Sequence, residues 1–493
     1  MTWKTDAPLR EQLSRLCASA VILLGLVIAT GLAKEHEPDA PPAPVKAPDT
    51  LVGEMLVWVL EGLSGRVTDA ETERFSPEFV EQLPGSLPNP KSTAVLRSIH
   101  ESVFGSDEAS LVSIENGATA HALRARISAQ ATGDQFLLQL SLDAESGLII
   151  GLLITPAFDP NALPGSWAAV EDSVRALPGE VSVLVASVDG DDFKPVLGIE
   201  PDRRLGIGSA FKLWVLGALA EAVHEGEAAW DEPLALDFAI KTMPIGALRQ
   251  EANREGMGED PEFPLSRFAD LMISISDNPA TDHLIERIGR ERVIEFMSRA
   301  HGNPSLNVPF LSTGQFFKLK RGTSDDALKA YINAGSPEAR QAVLDSDDFR
   351  DAVISIPLAM RWEQDGPVAI DSVEWFASAT ELARTMMELR RVERRPNMDA
   401  LGHALRINDG INLDDQTWPR VAFKGGSEPG VLNLTYLSED SNGNEWIVSL
   451  GWNNTEAMLD DNRLIRIAVG VFALLADGEL PEDSSTGEDP ATP

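Results

Sequence analysis

The apolar positions of this chain change character along its length. From Leu16 to Ala33 they run almost unbroken (LCASAVILLGLVIATGLA) and no charge interrupts them. From Leu51 they recur at helical spacing, as Leu51, Met55, Val59 and Leu60, and residues 92–104 repeat that pattern. Three strand-like segments follow, at residues 122–131, 135–142 and 148–155. Gly133-Asp134 and Ser146-Gly147 read as the turns between them. Helices first and a run of strands after predict an α+β module over residues 50–157, its helices packed on one curved antiparallel sheet.

A larger unit is expected over residues 165–476. It opens with strands at 181–188 and 194–199 and passes through a long helical centre. It closes with strands at 431–437 and 445–452 and a helix over about 460–475. Strands at both ends of such a unit imply that the ends meet in one sheet, with the helices packed on its faces. Within the centre, the run LWVLGALAEAV after Lys212 is hydrophobic on nearly every side, which predicts a buried central helix.

Length and composition set the rest of the frame. A chain of 493 residues exceeds one ordinary core and implies two domains plus tails. Residues 34–49 are Pro-rich and charged, hence an extended linker; residues 477–493 are acidic and aperiodic, hence a disordered tail. The formal net charge of −36 argues against nucleic acid and anionic membrane surfaces as partners, and suits solubility in a salty or periplasmic medium. The single cysteine, Cys17, excludes a disulfide framework and a Cys-based zinc site, and no metal, nucleotide or haem motif occurs, so no cofactor is expected. Lys4, Arg10 and Arg15 around the start of the apolar run, and Gly31-Leu32-Ala33 at its end, read as an export signal over residues 1–33. The run is also long enough to span a bilayer. The expected location is periplasmic or secreted, with membrane contact only through residues 16–33 if that segment is uncleaved.

Three short motifs in the larger unit carry chemistry. Ser209-Ala210-Phe211-Lys212 opens the apolar helix, so the amine and the hydroxyl share one helical face. A serine needs a base to become nucleophilic, and a lysine can serve once burial or a second cation depresses its pKa. Ser276-Asp277-Asn278 follows a helical stripe (Phe268, Leu271, Met272, Ile275) and precedes Pro279. It therefore reads as an interhelical connection, with Asn278 as the expected cap. Phe423-Lys424-Gly425-Gly426-Ser427 places a cation and open backbone N–H groups on an exposed edge strand. Taken singly, each has an ordinary explanation: a helix start, an interhelical turn, a glycine-rich turn.

Together, Ser209-x-x-Lys212, Ser276-Asp277-Asn278 and Lys424-Gly425-Gly426 resemble the SxxK, SDN and KTG set of class A β-lactamases and penicillin-binding proteins. The likeness covers about residues 165–476 and implies a β-lactamase/transpeptidase-like αβα domain there, an antiparallel sheet flanked by helices. The two-part layout is similar to a subgroup with a steroid-isomerase- or cystatin-like N-terminal module, which includes a β-lactamase-like protein of clavulanic-acid biosynthesis. The resemblance implies a serine hydrolase in which Ser209 attacks an acyl carbonyl, Lys212 activates it and Ser276 relays a proton to the leaving group. Asn278 would hold the substrate amide, and Lys424 would steady Ser276 and attract a carboxylate. The N–H groups of Ser209 and Ser427 would form the oxyanion hole, with Phe423, Gly425, Gly426 and Ser312 along the substrate site. The implied partner is a small-molecule β-lactam, amide or ester. No oligomeric state is legible.

Two positions depart from the family. Gly425 stands where hydrolysing members carry Thr or Ser. No glutamate occurs from Phe296 through Pro337, where a loop glutamate should drive water onto the acyl-enzyme; Ser312 is the polar group expected there, and a hydroxyl is a poor base at neutral pH. The expectation is competent acylation with weak deacylation. Residues 322–371 look inserted and are expected to cover the cleft. Two alternatives remain open: a cell-envelope D-Ala-D-Ala-type peptidase or esterase, and a non-catalytic binding module of the same fold. The N-terminal module is expected to be a packed accessory domain.

Overall fold

The computed structural model describes residues 45–67, 73–77, 79, 92–100, 104, 107–114, 118–130, 135–157 and 162–481, except 238, 241, 244, 245, 259, 302, 303 and 356–364. The expected export signal, most of the linker, the Gly133-Asp134 turn and the end of the acidic tail lie outside these residues. No helix among them is long and apolar enough to cross a membrane. The chain divides into two compact units between Leu163 and Pro164, with Asp460–Asn462 grouped with the first.

In the first unit the Leu51–Leu63 helix starts at Thr50, whose side chain accepts the Gly53 N–H at 3.3 Å. Its apolar spacing buries Val52, Leu56, Val59 and Leu63 along one stripe. A second helix spans Ser92–Ile99. The sheet is an antiparallel meander of β1 (Ala109–Ile114), β2 (Ala122–Ala129), β3 (Gln135–Leu142) and β4 (Ile149–Ala157), in that order. Alternation along β3 turns Phe136, Leu138, Leu140 and Leu142 into one core with the helical stripes. β1 escaped the sequence pattern because its residues, ASLVSI, are mostly half-buried and show no clean alternation.

The second unit has a five-stranded antiparallel sheet. It is built from β5 (Glu180–Asp189), β6 (Asp192–Ile199), β11 (Arg420–Glu428), β12 (Val431–Glu439) and β13 (Glu445–Asn453), in the order β11-β12-β13-β5-β6. Four minor strands lie between β6 and β11: β7 (Leu205–Gly206) pairs with β10 (Phe376–Ala377), and β8 (Pro233–Ala235) with β9 (Glu262–Pro264). The pairing of β13 with β5, Leu450 opposite Val183, joins the two ends of the unit as the pattern predicted. The closing segment holds the two strands that the pattern predicted and β11, the edge strand expected to carry the third motif; Lys424 is buried on it and not exposed as expected.

Helices flank both faces. Trp167, Val170 and the Asp461–Ala476 helix pack through Ile467 and Phe472 on Tyr436, Val448 and Trp452. On the other face the Ala379–Glu393 helix sets Ala379 and Ala383 against Leu184, Ala186 and Ile447. Beyond it lies a helical body around the Lys212–His224 helix, whose residues from Lys212 through Ala222 are all buried. Gly217 allows the Arg290–Ala300 helix to come close: a Cβ there would sit 2.1 Å from Phe296 Cζ. The segment that looked inserted is largely helical (Asp325–Asn333, Pro337–Leu344, Asp347–Asp351). It buries Tyr331, Leu344 and Phe349 in this same body.

Candidate active site

The site begins where β7 runs into a 3-10 turn, Gly208–Phe211, ahead of the Lys212–His224 helix. β10 holds this entry: Phe376 pairs with Gly206, and the Ile207 N–H donates to Trp375 O at 2.9 Å. The Phe211 ring stacks on Trp375 at 3.7 Å between centroids, which fixes the turn against the helical body. Gly208 has φ +49°, a left-handed value that favours glycine. Ser209 is half-buried while Ala210, Phe211 and Lys212 are fully enclosed, so the serine faces the open side.

Lys212 points into the junction of the second motif. Its Nζ donates to Ser276 O at 2.6 Å, Ser276 Oγ at 3.0 Å and Asn278 Oδ1 at 2.6 Å. Ser276 sits between the Leu265–Ser274 and Asn278–Ile288 helices with φ +59°, a strained value for a residue with a side chain. The cap differs from expectation. Asp277, not Asn278, occupies it, accepting from the Ala280 N–H at 2.7 Å and from Ala247 N at 2.6 Å. A carboxylate has two acceptor oxygens and satisfies both donors. Asn278 is thereby free to face Lys212 and to donate to Met243 O at 2.5 Å.

Lys424 arrives from β11. Its Nζ donates to the same Ser276 Oγ at 3.2 Å and to Gly425 O at 2.6 Å. Two buried amines thus share one hydroxyl. Burial, and then the charge of Lys424, holds the Lys212 pKa well below the ordinary lysine range, against the opposing pull of Asp277 and Asp282. Burial brings Lys424 down to about 7. Burial and the proximity of the two amines thus both favour loss of a proton from the pair, the direction that a lysine acting as a base requires.

The third motif also packs its backbone against the serine turn. A Cβ on Gly426 would lie 2.0 Å from Ile207 O and 2.6 Å from the backbone nitrogens of Ser209 and Ala210; one on Gly208 would lie 2.8 Å from Ser427 N. Only two facing glycines permit this approach, and it sets the Ser427 N–H on a backbone adjoining that of Ser209.

Some expected residues stand apart. Ser312 caps the Thr313–Arg321 helix in a capping box with Gln315, its hydroxyl accepting from Gln315 N at 3.2 Å. Phe423 faces away from Lys424, stacking on Tyr436 at 4.6 Å, and Gly425 shares that face: a Cβ there would meet Phe423 Cζ at 3.0 Å. Among the described residues the Ser209 hydroxyl makes no hydrogen bond.

Asp282 was missed. It is buried one helical turn beyond Asn278 and accepts from Thr313 N at 2.7 Å and Gly314 N at 2.8 Å, so the segment after Ser312 is tied to the second motif. Its i, i+4 relation to Asn278 was the available signal. Burial raises its pKa, while those N–H groups and Lys212 oppose the shift. His283, expected to be structural, has its Nε2 accepting from Asp237 N at 2.9 Å. Among the described residues no cluster of three or more His, Cys, Asp or Glu side chains could hold a metal ion.

Residues 166–342 match the Beta-lactamase enzyme family. The match contains Ser209, Lys212, Ser276 and Asn278 and stops before Lys424. No curated protein matches the chain. Similar solved structures include a β-lactamase from Sphaerobacter thermophilus, at 20% identity and a TM-score of 0.44 over 64% of this chain and 98% of that one. A β-lactamase from Chitinophaga pinensis aligns at 13% identity and 0.44 over 63% and 98%. The protein PBP-A aligns at 16% and 0.40 over 64% and 99%.

Proposed function

We propose that the second unit is a serine acyl-transfer hydrolase of the β-lactamase type that forms an acyl-enzyme on Ser209 with β-lactams or related amides and esters. The observation that carries this reading is the meeting of Lys212 and Lys424 on the Ser276 hydroxyl, with Lys212 three residues after the half-buried Ser209 on its constrained turn. The family match over residues 166–342 supports the same chemistry.

In this reading Lys212 acts in its deprotonated form, the form that burial favours: Ser209 Oγ attacks the carbonyl carbon and its proton passes to the Lys212 amine. The tetrahedral oxyanion is met by the N–H groups of Ser209 and Ser427. As the bond to the leaving nitrogen or oxygen breaks, the proton moves from Lys212 through Ser276 Oγ to the leaving atom. Lys424, donating to Ser276, holds that hydroxyl in line. Asn278 orients Lys212 through Oδ1 and would meet the substrate amide. Deacylation is the weak step: the hydroxyls of Ser312 and Thr313 occupy the segment tied down by Asp282, and a hydroxyl is a poor general base at neutral pH.

A second reading, an envelope peptidase or esterase, shares the acylation step. Intact-mass measurement after incubation with a penicillin and with an activated ester tests both. A lasting adduct that maps to Ser209 and is absent in Ser209→Ala supports the proposal. No adduct from any acyl donor, or rapid steady turnover of a chromogenic cephalosporin that depends on Ser209, contradicts it in whole or in its deacylation part.

A further inference from the structure

Behind the turn that carries Ser209, three charged side chains from distant segments meet in a dry pocket. Lys320, in the last turn of the Thr313–Arg321 helix, places Nζ 2.5 Å from Glu428 Oε1 and 3.9 Å from Glu374 Oε1. The side chains of Lys320 and Glu374 are fully buried and that of Glu428 nearly so. Glu374 Oε2 accepts the N–H of Gly208 at 3.2 Å and of Trp375 at 2.8 Å. Glu428 is the last residue of β11 and follows Ser427 directly. The cluster is therefore bonded to both backbones that would form the oxyanion hole. It reaches one through Gly208, next to Ser209, and the other through Glu428, next to Ser427.

We propose that Glu374, with Lys320 and Glu428, is the positioning residue of the oxyanion hole, fixing the Gly208–Ser209 backbone against the Ser427 end of β11. This rests on the acyl-enzyme reading. The charge balance shows how it works. Two carboxylates and one ammonium would leave a net negative charge behind the place where the oxyanion forms, which opposes the reaction and is costly to bury. As a carboxylate, Glu374 also leaves Oε1 buried without a hydrogen bond. As an acid it has Glu428 for an acceptor, and burial together with the charge of Glu428 raises its pKa well above the carboxylate range, against the pull of Lys320. Lys320 faces it from its helix and Glu428 from β11, Arg321 and Asp365 form the adjoining ion pair, and the serine turn presents backbone N–H.

The test uses the full chain, with the acylation rate constant and substrate affinity for p-nitrophenyl acetate measured separately, and phenylboronic acid as a tetrahedral mimic. Glu374→Ala is expected to slow acylation by roughly 10²-fold at nearly constant affinity for the ester, and to weaken the boronate. Glu374→Gln keeps the shape, the acceptor for Gly208 and a donor to Glu428, and is expected to restore acylation to within about threefold. Because burial raises the Glu374 pKa, wild-type acylation is expected to fall as rising pH ionises that group, and the Gln variant is expected to lose that fall. A folded Glu374→Ala with wild-type acylation overturns the proposal. So does a Gln variant as slow as Ala, or one whose pH profile matches that of wild type, and this last comparison stands even if the Ala variant does not fold. If Ser209→Ala turns over ester as fast as wild type, the acyl-enzyme reading fails and the positioning role falls with it.

Discussion

Gly425 and Gly426 are neighbours on β11, yet the structure assigns them opposite sensitivities. An alanine Cβ at 426 would stand 2.0 Å from Ile207 O and 2.6 Å from Ser209 N, all backbone atoms that have no rotamer by which to yield. A carbon rests about 3.3 Å from a carbonyl oxygen at its closest favourable approach, so the strand must withdraw by roughly 1 Å. That movement carries the Ser427 N–H away from Ser209. Losing one oxyanion donor costs about 10²–10³ in rate, or ~2.7–4 kcal/mol, so Gly426→Ala is expected to slow acylation by that factor with little change in ester affinity. At 425 the nearest atom is the Phe423 ring edge at 3.0 Å, a side chain that can shift, so Gly425→Ala is expected to stay within about tenfold of wild type. Burst kinetics with p-nitrophenyl acetate, beside thermal melts of each variant, measure both. A folded Gly426→Ala that acylates at the wild-type rate, or a Gly425→Ala equally impaired, would refute the assignment of the hole to these two backbones.

Three other outcomes are expected. Lys212→Met removes the base and should slow acylation by ~10²–10⁴-fold; adduct formation by mass spectrometry at an unchanged rate would exclude Lys212 from proton transfer. Lys424 has its folded pKa near 7, below the ordinary lysine value, so between those values the unfolded state binds the extra proton and stability must rise with pH. Wild type should therefore gain on Lys424→Met as pH climbs from about 7 towards 10, seen in denaturant midpoints; a pH-independent difference would mean Lys424 is not desolvated. Gly217→Ala drives a methyl to within 2.1 Å of the Phe296 ring and should cost about 1–3 kcal/mol, and an unchanged denaturation midpoint would contradict the close approach of the two helices.

The three motifs, their order and the strand and helix that carry them were readable without coordinates. Each is a local statement: a hydroxyl and an amine one helical turn apart, a polar triplet between an apolar stripe and a proline, a lysine beside glycines on a strand. The closure of the second unit by strands from both ends followed likewise from period and order. The error came where one local role could pass to a neighbour. Asp277 took the cap because it has two acceptor oxygens for two donors, Ala280 N and Ala247 N, and Ala247 is far away in sequence. Ser312 also caps its own helix, a role that a serine followed by Gln315 three positions on could have signalled.

Periodicity and motif spacing thus specified which residues could do chemistry and on what kind of element each rides, because both follow from backbone geometry over a few residues. Folding of the whole unit set what no local pattern encodes. It brought two amines onto one hydroxyl, lowered their pKa values by enclosing them together, and pressed Gly426 against the serine turn. It also gathered Lys320, Glu374 and Glu428 beneath that turn. These depend on desolvation and on distances between segments far apart in the chain, and such quantities exist only once the core has closed.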